Sequence, residues 1–469
     1  MLGPMGEAGG NRGYWLLFGA IVALGLGLRV AGAQGSLWLD EAWSAVMARE
    51  AGTPLGVFLK INHDNNHHLN SLWLQFVGLG APPVIARALS ILAGTASIVV
   101  AGLIGRRRAP LLGLLTAALF AISPILVTLG SEARGYAPMA LALLVAILLV
   151  DRWLAGEAER SPATALALCF LLGMLSQLTM VFGFCAIAGW VFFASWTERS
   201  PGRAAKATLA PLWPSFAMIV LVVAIIAGAA STSPKGFEFG GWDPFTWMQY
   251  MRGLSEMAGY TFGYPDIYVL WFAMVPVLLI LARWAGVSRL PFHTLAILAF
   301  PAAIALLHPA NVAYGRYYLL VSIALLILVA ELAWLGLASG GWKRLAAALA
   351  LGSFTVGSLA CDIELIRNQR ADPGAAIRAL QARAPGGATV FIERDRGRAV
   401  LAAAAASARY PLTITGTSCP TPRFLFIDRF LNESFPAAPR HCEKHYSPIA
   451  TARVHGMSGT DWTLYEARP

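Results

Sequence analysis

The run YWLLFGAIVALGLGLRV, Tyr14 to Val30, followed by AGAQGSLWLDEAWS, Ala31 to Ser44, decides the fold. The first stretch is apolar almost throughout and close to the roughly 20 residues that cross a bilayer as a helix. The second turns polar at once and sets two adjacent carboxylates, Asp40 and Glu41, between Trp38 and Trp43. Tryptophan suits the headgroup level of a membrane. A span that opens into an acidic, aromatic loop is therefore the first unit of the chain.

The same alternation continues. Apolar runs at 83–104, 110–129, 135–150, 163–180, 181–196, 208–230, 267–284, 290–308, 317–338 and 343–361 predict about eleven spans with the first. Composition agrees: of 469 residues, 57% are hydrophobic and 13% are charged, and mean hydropathy is +0.62. A soluble domain carries about 25% charged residues, so a soluble enzyme and a disordered chain are both excluded. The net charge of +10 does not point to nucleic acid. The basic residues fall in alternate connections: Arg106 to Arg108, Arg152 and Arg160, Arg199 to Lys206, Arg283 and Arg289, and Lys343 and Arg344. These are expected on the cytoplasmic side. The connections 31–80, 130–134, 230–266 and 308–316 then lie outside, with the tail. Ala31-Gly32-Ala33 resembles a signal-peptidase site, but the charge alternation works with the first span retained.

The expected architecture is an all-α polytopic membrane domain over 1–361, with outer loops 31–80 and 231–266, and a small extracytoplasmic α/β domain over 362–469. In that tail, 373–384 and 399–409 read as helices, and 388–393, 412–415 and 424–428 as strands. Cys419 and Cys442 lie there and are expected to pair in an oxidising compartment. Cys169, Cys185 and Cys361 sit in apolar spans as packing residues.

Four polar stretches face the outer side. Asp40 and Glu41 sit at the membrane surface, where a carboxylate can be partly desolvated and still meet substrate, as a general base requires. On spacing alone, a solvated helix N-terminus explains them as well. His63, His67 and His68 fall within one short stretch with Asp64, Asn65, Asn66 and Asn70. They suit a phosphate or a metal, or a plain polar loop entering an interfacial helix, and no strict zinc spacing is met. Ser131-Glu132-Ala133-Arg134-Gly135-Tyr136 is a tight link in which Arg134 can bind an anionic headgroup or pair with Glu132. Arg316-Tyr317-Tyr318 opens a late span, as a phosphate ligand or as an aromatic belt with a snorkelling arginine. Lys235, Trp242, Asp243, Trp247, Tyr250, Arg252 and Glu256 read as a flexible lid.

Taken together, the ionisable groups gather at one membrane face and are nearly absent from the span centres, Glu331 and Gln177 excepted. A transporter places its polar groups nearer the midplane. A site at one leaflet suits a substrate that is half lipid.

On these residues the chain resembles the GT-C glycosyltransferases. The Asp40-Glu41 pair after the first span, the His-rich entry to the second, the Ala133-to-Ala137 turn and Arg316-Tyr317-Tyr318 are similar to that superfamily. The nearest group is that of protein O-mannosyltransferases and lipid A aminoarabinose transferases. The likeness spans about residues 14–340. One departure is Asn66-His67-His68, where many relatives carry a proline element. The resemblance implies a polyprenyl-phosphate sugar as donor and an extracytoplasmic hydroxyl on a glycan, lipid or protein as acceptor. In that scheme Asp40 is the base of an inverting transfer, and Glu41 orients it or the acceptor. Arg134, Arg316, His67 and Tyr317 hold the donor phosphate. Glu132, Tyr136, His63 and His68 stand on the acceptor side or around it. A divalent metal near Asp40, Glu132 and the histidines is left open. The rival classes are a lipid or solute transporter or flippase, and a non-catalytic assembly protein. Neither the sugar nor the acceptor is legible.

Overall fold

In lipid, a backbone must satisfy its own hydrogen bonds, so long apolar segments become helices. The computed structural model describes residues 5–468 apart from 158, 198, 242, 268–269, 288, 417–418, 420–421 and 431–432, with side chains from residue 12 onward except 270–271. Among the described residues, seven helices are long and apolar enough to cross a membrane: Arg12–Ala31, Ala88–Arg106, Tyr136–Leu154, Pro201–Thr232, Leu290–Leu307, Gly315–Ser339 and Gly341–Asn368. Pro110–Ile122 with Pro124–Gly130 makes an eighth if the pair is one span. Ala163–Ser176, Met180–Trp196 and Phe272–Trp284 are shorter apolar helices. The protein is a multi-pass membrane protein with a small sheet domain at its C-terminus.

Two local features shape the end that carries the polar loops. The Pro110–Ile122 and Pro124–Gly130 helices meet at a bend of 61°. Ser123 precedes a proline, which drives it to extended backbone (φ −66, ψ 121), and its hydroxyl donates to the Thr261 carbonyl at 2.9 Å. The short helix beyond the bend is buried along its length, and so is the turn that follows, 131–135.

The second feature corrects the lid reading. Trp247–Phe262 is a helix, started by the Thr246 hydroxyl, which accepts from the Gln249 amide at 3.2 Å, and stopped at Gly263. Tyr250, Leu254, Met257 and Ala258 bury one face of it. A Cβ at Gly253 would strike the Val312 carbonyl, so this contact needs glycine. Only the segment before this helix remains a strap. Trp242 lies outside the described residues.

At the opposite end of the bundle the charges form a closed network. Arg107 bonds Asp151 at 2.7 Å, Arg289 reaches Asp151 and Glu331 at 2.9 Å each, and Arg108 meets Glu331 at 2.7 Å. Glu331 thus belongs to the basic end.

Among the described residues, the C-terminal sheet has six strands: β1 (Ala388–Ile392), β2 (Leu412–Thr415), β3 (Phe424–Arg429), β4 (Arg440–His441), β5 (Lys444–Ala452) and β6 (Asp461–Ala467). Their order is β2-β1-β3-β6-β5-β4, with β1 parallel to β2 and β3, and the other pairs antiparallel. The Gly374–Arg383 and Arg396–Ser407 helices supply Ile377, Leu380 and Leu401 to a core with Val390, Phe426 and Trp462. Cys419 and Cys442 are bonded, with Cα atoms 6.2 Å apart. The Arg396–Ser407 helix also lays Ala399, Val400 and Ala403 against Ala42, Ala45 and Ala48 of the Leu39–Ala51 helix. Alanine on both faces lets the backbones approach closely, so the sheet domain sits directly on the helix that carries Asp40.

Candidate active site

Asp40 and Glu41 occupy the first turn of the Leu39–Ala51 helix, where acidic side chains favour the helix dipole. Adjacent residues on a helix point about 100° apart, and the two carboxylates go to different neighbours. Asp40 turns toward Arg134 and Arg316. Its Oδ2 takes an ion pair from Arg134 and a second from Arg316 Nη2 at 3.3 Å. Asn65 ties the group together: its Nδ2 donates to the Asp40 carbonyl at 2.6 Å, and its Oδ1 accepts from Arg134 Nη2 at 2.9 Å. Trp38, Tyr136, Tyr314 and Tyr317 place their rings around the two guanidiniums. The Arg316 guanidinium lies 5.5 Å from the Trp38 ring and 4.7 Å from that of Tyr314, and Arg134 lies 5.3 Å from Tyr136.

Arg134 is held by its turn. The Ser90 hydroxyl donates to the Arg134 carbonyl at 2.9 Å, and Asn70 Nδ2 donates to that of Ala133 at 2.6 Å. A Cβ on Gly135 would collide with the Ser176 carbonyl. Burial by itself raises the Asp40 carboxyl. The charges of Arg134 and Arg316 outweigh it and hold the group below its ordinary value. Asp40 is therefore ionised, and locked.

Glu41 does not join this cluster. It is fully enclosed by Arg87, whose Nε and Nη2 bond its two oxygens at 2.8 and 2.6 Å. The Ala133 amide donates to it at 2.6 Å and the Trp38 amide at 3.2 Å. Arg87 also donates to the carbonyls of Ala33 at 2.9 Å and Ser36 at 3.2 Å. Glu41 thus anchors the loop, and a role in orienting Asp40 or an acceptor has no geometry behind it. Arg87 was missed in the sequence. Its signal is an arginine at the outer end of an apolar run, which needs a carboxylate partner.

Glu132 also faces away, bonded to Arg370 at 3.1 Å. His63 pairs with Asp64 at 2.8 Å beneath the strap, which it meets at Glu238. His68 stacks on Phe58 at 5.0 Å. His67 does reach Arg134. Its Nδ1 donates to the Ser176 carbonyl at 2.9 Å, which leaves Nε2 to accept from Arg134 Nη2 at 3.3 Å. As an acceptor from an arginine, a neutral His67 orients Arg134 and adds no positive charge.

Burial lowers His67 to about 3, with Arg134 adding to the effect, and burial lowers His68 to about 4. Unfolded imidazoles take protons near 6.5, so below that pH the unfolded chain binds more protons and stability falls as pH falls. The unfolding temperature in detergent is expected to drop between about pH 7 and pH 5, with a shallower slope in His68→Phe, which keeps the Phe58 stack. Equal slopes in both proteins would show that His68 is not excluded from protonation.

The residues left open for a divalent metal do not converge on one. Asp40 is taken by two arginines, Glu132 by Arg370, and His67 Nε2 by Arg134. Among the described residues, no group of three or more His, Cys, Asp or Glu is placed to hold a metal.

No family model matches the chain, and no curated protein matches it in sequence. Its structure does match. ArnT from Cupriavidus metallidurans in the apo state aligns over 97% of this chain and 98% of its own, with a TM-score of 0.57 and 13% identity. The same enzyme bound to undecaprenyl phosphate aligns over 96% and 98%, with a TM-score of 0.57 and 12% identity. The oligosaccharyltransferase of Archaeoglobus fulgidus in complex with zinc and sulfate aligns over 88% of this chain and 68% of its own, with a TM-score of 0.51 and 12% identity. At such identities the shared property is architecture: from its first helix to its C-terminal sheet, this chain has the fold of the ArnT structure.

Proposed function

We propose that the protein is a membrane glycosyltransferase. It moves a sugar from a polyprenyl-phosphate-linked donor to an acceptor hydroxyl at the extracytoplasmic face, with inversion and with Asp40 as general base. The observation that carries the reading is the pair Arg134 and Arg316, brought from distant segments onto one carboxylate oxygen. Two guanidiniums against one carboxylate leave a cluster of net positive charge. Among the described residues, Arg316 Nε and the Tyr136 hydroxyl are buried there without a partner, and buried donors normally have one. A phosphate would supply it. The ArnT structure of the same fold holds undecaprenyl phosphate, which supports this class of donor.

In the resting protein Asp40 is a weak base, because two cations stabilise its ionised form. A donor phosphate competes for those cations. As Arg134 and Arg316 turn to the phosphate, Asp40 is released and its basicity recovers. The acceptor hydroxyl then gives its proton to Asp40 while its oxygen bonds the anomeric carbon. The bond from that carbon to the phosphate oxygen breaks, and its electron pair leaves with polyprenyl phosphate. The charge that develops there meets the two guanidiniums, where stabilisation counts most. The basic network at the other end of the bundle supports an extracytoplasmic site by the positive-inside rule. Nucleotide sugars are confined to the cytoplasm, so a lipid-borne donor fits that side.

The test compares envelope lipids and glycans of cells with and without the protein by mass spectrometry. One glycan or lipid should lose a sugar, and a polyprenyl-phosphate sugar of the same mass should accumulate. Identical profiles would sink the reading. Arg134→Lys keeps a charge but loses the planar fork, and about 10- to 100-fold slower transfer is expected, read as the same accumulation in part.

A further inference from the structure

Three consecutive residues, Gln369, Arg370 and Ala371, have φ of 49°, 62° and 61°. None is glycine, and left-handed backbone is disfavoured for any residue with a Cβ. A run of three persists only where surrounding contacts over-determine it. This run joins the last long helix to the sheet domain, and its contacts reach the segments that lead into Asp40 and Arg134.

Arg370 is buried and uses its whole guanidinium. Nε bonds Glu132 at 3.1 Å, Nη1 bonds the Gly32 carbonyl at 2.7 Å, and Nη2 bonds the Thr128 carbonyl at 2.9 Å and the Ser131 hydroxyl at 2.8 Å. The Glu132 carbonyl in turn accepts from the Arg134 amide at 2.8 Å. Gln369 takes the Gly35 amide at 2.7 Å and donates to the Ala31 carbonyl at 2.8 Å, and Asp372 takes the Ser36 amide at 2.8 Å. On the domain side, Trp462 Nε1 donates to the Ala371 carbonyl at 2.6 Å. The junction thus grips the turn before Arg134 and the lead-in to Asp40, and is itself gripped by the sheet.

We infer that Arg370 is a positioning residue that acts through Glu132 to fix Arg134 on the donor phosphate, so that the C-terminal domain sets the geometry of the site it sits on. The inference rests on the donor reading above. Its physical basis is that a guanidinium with three contacts to residues 128–132 and a fourth to Gly32 holds that turn against the end of the first helix in a single arrangement. The left-handed backbone is what aims Arg370 back into the bundle, toward Glu132.

Arg370→Met alone would strand Glu132 as a buried, unpaired carboxylate, and Glu132→Gln alone would strand Arg370, so the two are replaced together. Binding of undecaprenyl phosphate in detergent is measured for wild type, for Arg370→Met with Glu132→Gln, for Arg134→Met and for all three. Replacing the pair is expected to weaken binding about 10-fold when Arg134 is present and less than about 2-fold when it is absent, the non-additivity of residues in one network. A general loss of stability would act equally in both backgrounds, and that result overturns the inference. Amide hydrogen exchange supplies a second readout. It should speed up at 131–135 when the pair is replaced and stay unchanged in β1 and β3. No change at 131–135 overturns the inference as well. If wild type does not bind undecaprenyl phosphate, the donor reading fails, and the exchange result alone then decides whether the Arg370–Glu132 pair positions the turn.

Discussion

Asp40→Asn is expected to lower sugar transfer by about 10²- to 10⁴-fold, the usual contribution of a general base, while binding of undecaprenyl phosphate stays equal or tightens. Asparagine keeps the shape of the side chain and its place in the helix. It removes the anion that Arg134 and Arg316 now hold, so an incoming phosphate meets no competitor. Transfer is read as accumulation of the polyprenyl-phosphate sugar in cells, and binding on purified protein. The two measurements separate two roles. If Asp40 only positions the arginines, its loss weakens phosphate binding together with transfer. If transfer continues at the wild-type rate, Asp40 is not the base.

Arg87→Met should damage the protein most. Arg87 and Glu41 are both fully buried, and removing one partner of such a pair costs about 3–5 kcal/mol because the other charge is left uncompensated. Methionine also leaves the carbonyls of Ala33 and Ser36 without their donor. The expected result is a large drop in folded yield and in unfolding temperature, with activity lost in proportion to folded protein. Arg87→Met with Glu41→Gln should recover part of the loss. It should not recover all of it, since the carbonyls remain unpaired. An Arg87→Met protein as stable as wild type would mean that Glu41 finds another cation.

Asp40 and Glu41 illustrate how far the sequence could be read. Their place after the first span, between two tryptophans, was enough to put a carboxylate at the membrane surface. Their division of labour was not visible. Adjacent residues on a helix differ by about 100°, so which one meets Arg134 and Arg316 and which meets the Arg87 clamp depends on how the helix is docked. The docking draws on Leu74, Ala86 and Ala133 and on Ala399, Val400 and Ala403 of the C-terminal domain, far away in the chain. Arg134 and Arg316 stood out as arginines at the outer ends of spans. Asn65 and Arg370 did not, because an asparagine in a polar loop and an arginine after a helix have no signature until their partners are known.

The fold divides in the same way. Span positions could be read because a bilayer demands long apolar runs. The bend at Ser123 had its signal in Pro124, but a proline inside an apolar run does not state the direction of the turn. The helix over Trp247–Phe262 looked like a loop because its mixture of charge and aromatics suits a polar connection, and its buried face is set by the contact of Gly253 with Val312. The strands β5 and β6 carry Pro448 and charged residues and show weak alternation. Their pairing, from Tyr446 with Ala467 to Ala452 with Trp462, is a long-range property.

By itself the sequence determined that this is a membrane protein, where its basic connections lie, that a small mixed domain follows, and that acids and arginines gather at one face. These follow from solvent: lipid, headgroup and water each select residue types one segment at a time. Only the tertiary structure decided that Asp40, Arg134, Arg316 and His67 form one cluster while Glu41, Glu132 and His68 turn away from it. That choice depends on which side chains meet across helices distant in sequence, and no local preference encodes it.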